Sequence, residues 1–182
     1  MKMLRRALSA ALLSRQGHRH TAAEPDAILL AVGITVLAAI LLGLGLMNVI
    51  VEGTRTPDVE GITDRLVKMW WVVITVLLGW VFWSVVVYLL GGKFLGGAAT
   101  FRQTLRVLGT CYGPGVLGLF VLVPVAGSAV FLVGLFWILV AAIVATHEVQ
   151  RTDWVAAILS TTFGWALGLV FIPLVFMPFA FF

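Results

Sequence analysis

The chain has 182 residues, of which 62% are hydrophobic and 11% charged, with a formal net charge of +4 and a mean hydropathy of +1.12. Soluble domains run nearer about 45–50% apolar and about 25% charged, so one water-soluble core cannot hold these apolar residues. Lipid is the alternative solvent, and the single cysteine, Cys111, excludes an internal disulfide and a cysteine-based zinc cage.

The first twenty residues, MKMLRRALSAALLSRQGHRH, have the outline of a secretory signal. Their apolar core, residues 7–13, is short for that, and Arg15 and Arg19 follow it closely. Leu4, Leu8 and Leu12 fall at i, i+4, i+8 with Arg5 and Arg6 toward the polar side, which fits a cytosolic helix lying on the membrane. A frayed basic tail fits the same residues. His18 and His20 are metal-ligand types, but two histidines in such a tail do not complete a site.

Glu24-Pro25-Asp26 is a helix-start signal, and residues 27–51 form the first predicted span. Asn48 falls near its far end, at interface depth. Residues 52–68 are a mixed-charge loop broken by Gly53, Pro57 and Gly61. The second span, 69–90, opens on Trp70-Trp71 and closes near Tyr88, as aromatic interface anchors do. Trp80 and Trp83 lie at mid-depth, where packing against other helices is expected.

Residues 91–114, GGKFLGGAATFRQTLRVLGTCYGP, hold Lys93, Arg102 and Arg106 and no acid. Thr100 with Gln103 is a capping-box pair. Phe101, Leu105 and Leu108 recur at i, i+4, i+7, opposite Arg102 and Arg106, so a short amphipathic helix is predicted at the membrane surface. It leads into a third span, 107–123, interrupted at Gly113-Pro114-Gly115, where proline removes a helix hydrogen bond and a kink or break is expected. Residues 124–127 suit a tight turn into the fourth span, 128–146. His147, Glu148, Arg151 and Asp153 then make a short charged turn, predicted to be solvated at headgroup depth; His147 beside Glu148 is also the place a proton relay would be sought. The fifth span is 154–172, and Pro173 and Pro178 punctuate an apolar tail. Small residues four apart, Gly109/Gly113, Ala141/Ala145 and Gly164/Gly168, are candidate close contacts between helices.

Orientation follows from the basic residues. With the N-terminus inside, Lys2, Arg5, Arg6, Arg15, Arg19, Lys93, Arg102, Arg106 and Arg151 are cytoplasmic, while Arg55, Arg65 and Lys68 are outside. Nine against three requires an odd number of spans under the positive-inside rule. The expected fold is therefore all-α, a polytopic bundle of five spans with a cytoplasmic N-terminus and the C-terminus outside. Residues 1–26 form a basic cytoplasmic segment and 27–182 the membrane domain, placed in a bacterial cytoplasmic membrane.

The Gly91-Gly92 pair after the second span, Gly96-Gly97, Thr100-Phe101-Arg102-Gln103 and Tyr112-Gly113-Pro114 together resemble the Yip (Ypt-interacting protein) domain family. His147 after the fourth span, followed by Trp154-Val155-Ala156-Ala157, extends the resemblance, which covers roughly residues 5–173. It implies a multi-span core. Eukaryotic members engage prenylated Rab-type GTPases, and this chain lacks the long polar N-terminal region those members carry.

The sequence contains no Ser-His-Asp set, paired carboxylates, P-loop or dinucleotide glycine fingerprint. Cys111 in an apolar helix reads as a small core residue. No enzyme, cofactor, metal or nucleic-acid partner is expected. The leading expectation is a membrane-organising or adaptor protein whose basic inner face (Lys93, Arg102, Arg106, with Lys2, Arg5 and Arg6) holds anionic lipids or a membrane or cytoplasmic protein partner. The alternatives are a small transporter or channel around the broken third span, or an accessory subunit of a larger complex. An oligomer is compatible with each.

Overall fold

The computed structural model describes the backbone of residues 15–54, 62–122 and 127–181, with side chains over 17–43, 70–117 and 129–170. Every element among these residues is helical: α1 (Arg15–Ala23), α2 (Ala27–Thr54), α3 (Ile62–Val87), α4 (Phe101–Thr110), α5 (Gly127–Gln150) and α6 (Trp154–Phe181). A π-helical stretch, Tyr88–Phe94, extends α3, and a 3-10 helix, Gly113–Leu122, follows α4. The pattern of Leu4, Leu8 and Leu12, and Arg5 and Arg6, lies outside the described residues.

Trp70–Phe94 and Ala129–Gln150 are long and apolar enough to cross a membrane. A third candidate exists if Gly17–Ala23 and Ala27–Gly43, bent by 118°, are one span; Trp154–Val170 is apolar but shorter. We read the bend as placing α1 across the end of the bundle. Its surface shows why lipid is the required solvent. Leu29, Leu37, Ile74, Leu132, Phe136, Leu159 and Phe163 are all exposed, a belt spread over α2, α3, α5 and α6. The interior mixes large apolar side chains such as Trp80, Trp83, Leu108 and Ile138 with small and hydroxylated ones: Ala31, Thr35, Ser84, Ala141, Thr146 and Thr161 are buried.

The small and hydroxylated share of the interior suits association in lipid. Apolar burial gives little drive there, so helices are held by close packing and by hydrogen bonds between them. Trp80 Nε1 donates to the Leu105 carbonyl at 3.0 Å, joining α3 to α4. Trp83 Nε1 donates to the Thr161 carbonyl at 2.9 Å, joining α3 to α6, and Thr161 donates to Thr146 Oγ1 of α5 at 2.9 Å. Both tryptophans thus pack against other helices, as their mid-span positions lead one to expect. The glycine pairs are partly used as contacts. A Cβ on Gly109 would lie 2.8 Å from both Ala31 and Trp80, and one on Gly164 would lie 2.8 Å from Trp83. Gly113, by contrast, starts the 3-10 helix rather than continuing a contact face.

The third predicted span is broken where expected. α4 ends at Thr110 and the 3-10 helix begins at Gly113, one residue before Pro114. The Gly109 carbonyl beside the break receives the Tyr112 N–H at 3.3 Å and the Thr35 hydroxyl at 3.3 Å. Such internal repair is what a break in lipid demands. Gly115 is where the 3-10 helix meets α2, since a Cβ there would sit 2.6 Å from that of Ala38. The break is therefore filled by a neighbouring helix.

Several boundaries differ from the sequence reading: α2 runs past residue 51 to Thr54 and α3 starts at Ile62 rather than 69, both inside the expected loop 52–68, and two more differ further along the chain. α6 runs past the expected end at residue 172 and keeps its helical backbone through Pro173 and Pro178 to Phe181. Prolines are tolerated in this way within lipid-embedded helices. α5 continues from residue 146 to Gln150, so His147 and Glu148 are helical rather than part of a turn. Arg151, in the left-handed region at φ 56, ends it. Asp153 then caps α6, its Oδ1 accepting the Ala156 N–H at 3.0 Å.

Candidate functional site

Among the residues with described side chains, the charged ones gather at one end of the bundle, where α1, the stretch between α3 and α4, and the end of α5 meet. Local sequence builds this end in two parts. In the first, α3 widens into a π-helix over Tyr88–Phe94, closed by the Leu95 N–H on the Leu90 carbonyl at 2.9 Å. Gly96 turns the chain back at φ 75, and the Gly97 N–H bonds the Gly91 carbonyl at 2.9 Å. The glycines make room for one side chain, Gln150. A Cβ on Gly91 or Gly92 would press on its amide at 3.3 Å, and one on Gly97 would overlap its Oε1. The buried Gln150 donates through Nε2 to the Val87 carbonyl at 3.2 Å, and its own carbonyl receives the Ala98 N–H at 2.8 Å. Helix interruptions of the π type recur at functional positions.

α4 starts from this frame with the capping box its sequence predicts. The Gln103 N–H donates to Thr100 Oγ1 at 3.4 Å and the Thr100 N–H to Gln103 Oε1 at 2.8 Å. The three expected cations then part company. Lys93 is exposed, its ammonium 5.9 Å from the Tyr88 ring, which meets Phe101 edge-on. Arg102 is exposed on the first turn of α4. Arg106 is half-buried and donates through Nη1 to the Ala22 carbonyl at 3.3 Å, at the C-terminal turn of α1, where a cation suits the helix dipole. Phe94 and Leu95, exposed at 77% and 45%, project between Lys93 and the turn at Gly96.

The second part is α1 itself. Arg19 pairs with Glu148 of α5 at 2.8 Å, and Glu148 is 5% exposed. His18 is fully buried, with neither ring nitrogen hydrogen-bonded among the described residues. His20 points outward and lies 3.5 Å from Glu24. His147 stacks on Trp154, with ring centroids 3.9 Å apart. The solvated turn expected at His147 and Glu148 is thus corrected: α1 folds back over it. Likewise, residues 15–23 are a docked helix, so the frayed-tail alternative does not hold for them. His18 and His20 diverge, and no group of three or more His, Cys, Asp or Glu capable of holding a metal occurs among the described residues.

A cavity of about 10 Å³, lined by Thr104, Thr146, Val149 and Gln150 among others, lies beneath this end. That is room for about one water molecule. Sequence reasoning missed Gln150, and it placed His18 in a basic tail rather than in a buried seat. Four glycines within seven residues did signal that something must approach the backbone closely. The family model described as the Yip1 domain matches residues 10–175. No curated protein and no solved structure matches the chain.

Proposed function

The chain belongs to the Yip1 domain family, and on that premise we propose that it is a five-span, non-enzymatic membrane organiser that holds anionic lipid on a basic cytoplasmic face. The observation that carries this reading is the exposure of Lys93 and Arg102 on one rigid unit, with Phe94 and Leu95 exposed beside them. Gln150 and the Thr100 cap fix that unit, so little side-chain or loop ordering is needed on binding. Each cation near an anionic leaflet is worth about 1 kcal/mol. Arg106 contributes from behind, by holding α1, and Arg5 and Arg6 add basic charge to the same side of the membrane.

The test is retention of anionic lipid by protein in nanodiscs of mixed phosphatidylglycerol and phosphatidylcholine. Lys93→Gln with Arg102→Gln should weaken enrichment of the anionic lipid roughly 30-fold, the equivalent of about 2 kcal/mol. Wild-type enrichment should fall with salt. Unchanged enrichment in a correctly oriented double variant would reduce these cations to topogenic signals. Loss of a co-purifying protein with lipid enrichment intact would instead favour the adaptor reading.

Orientation is tested separately. A reporter joined after Phe182 should lie outside, and one inserted within residues 93–106 inside, because nine of twelve Lys and Arg fall on the inner side. Both reporters on one side would remove the five-span arrangement.

A further inference from the structure

α1 is tied to the bundle by the Arg19–Glu148 pair and by the Arg106 hydrogen bond to the Ala22 carbonyl, and its buried His18 has no hydrogen-bond partner among the described residues. His18 is 0% exposed, and Nδ1 and Nε2 both lack hydrogen bonds among the described residues. From α5, Glu148 faces it, but that carboxylate is engaged by Arg19 at 2.8 Å. From α4, Arg106 reaches the Ala22 carbonyl, one turn beyond His18. His147, adjacent to Glu148, is stacked on Trp154. On α1 itself, His20 is exposed beside Glu24. The helix joins α2 through a 118° bend, and with α1 lying across the end of the bundle the bend is where it can swing out of its seat.

We propose that His18 is a proton-binding site that couples the docking of α1 to pH. A neutral imidazole suits the buried seat, whereas an imidazolium there is stripped of water, and the one carboxylate facing it, Glu148, is already paired with Arg19. Protonation therefore releases α1 about the bend, uncovers Glu148 and frees a helix carrying Arg15 and Arg19 to meet the leaflet.

Burial dominates and the Glu148 charge opposes it, leaving the His18 pKa lowered from 6.5 to about 4. The docked form thus binds the proton more weakly than the released form. Docking is at full strength above about 6.5, weakens as pH falls through that value, and levels off below about 4. At pH 5 docking should be roughly 30-fold weaker than at pH 8, since each pH unit in this window changes the equilibrium tenfold.

The experiment uses the full chain in nanodiscs with Cys111→Ala, and a single new thiol on α1. Thr21→Cys reports the seat, because Thr21 is 6% exposed, and Ala23→Cys, at an exposed position, is the reference. Labelling is by a dithiodipyridine reagent, which reacts in acid as well as neutral solution. The ratio of the two rates should rise roughly 30-fold from pH 8 to pH 5. His18→Leu should hold it flat, while His20→Gln should leave the rise intact. A flat ratio with His18 present, or the same rise in His18→Leu, overturns the proposal. Amide exchange of α1 in the unmodified chain and in His18→Leu makes the same comparison without the added thiols.

Discussion

Gly97→Ala is expected to lower the stability of the folded chain by about 3 kcal/mol, the upper end for forcing an extra carbon into a packed interior. The added Cβ would overlap Gln150 Oε1 and lie 2.6 Å from the Gly91 carbonyl oxygen. The amide is the end of a side chain and can retreat, at the expense of its bond to Val87. The carbonyl is backbone and cannot. Moving residue 97 away instead breaks its own N–H bond to that carbonyl. Gln150→Ala in the same chain should therefore recover only part of the loss. Gly96→Ala meets no neighbour within 4 Å and bears only the strain of φ 75, so about 1 kcal/mol is expected. Folded fraction against SDS in mixed micelles measures all three. A Gly97→Ala protein as stable as its parent would mean that the chain does not fold back onto Gly91 and Gln150 here.

Trp83→Ala is expected to cost a similar amount, about 3 kcal/mol, toward the low end for removing a buried tryptophan. The low end applies because lipid solvates apolar surface in the unfolded reference too, leaving the packing and hydrogen-bond terms. Those terms are concrete. Trp83 is 2% exposed, fills the space left by Gly164, meets Tyr112 edge-on at 6.1 Å and donates to the Thr161 carbonyl. Trp83→Phe keeps most of the volume and loses the donor, and should cost about 1 kcal/mol. In the same titration, an alanine variant within about 0.5 kcal/mol of wild type would put the ring outside the core.

What could be read from the sequence was whatever lies along a short stretch of it. The capping box at Thr100 and Gln103 spans four residues, and the break at Gly113-Pro114-Gly115 needs one proline. Burial of Trp80 and Trp83 follows from their depth in an apolar run. What escaped were partners far apart in the chain. The glycines at 91, 92 and 97 announce a close approach without naming Gln150, more than fifty residues later. Position along a helix also gives depth, not cover, so Glu148 read as solvated although α1 shields it. Arg106 read as a rim charge for the same reason, since nothing nearby in sequence points to the Ala22 carbonyl.

The Arg19–Glu148 pair joins residues 129 positions apart. During synthesis, at about 5–20 residues per second, α1 leaves the ribosome roughly ten seconds before its seat exists. Until α4 and its Arg106 follow, 84 residues behind Ala22, its basic and apolar faces have only the membrane surface and the translation machinery to meet. The seat is completed late, although α1 is made early. A nascent chain stalled before Glu148 emerges would hold α1 in the same released form that acidification is proposed to produce.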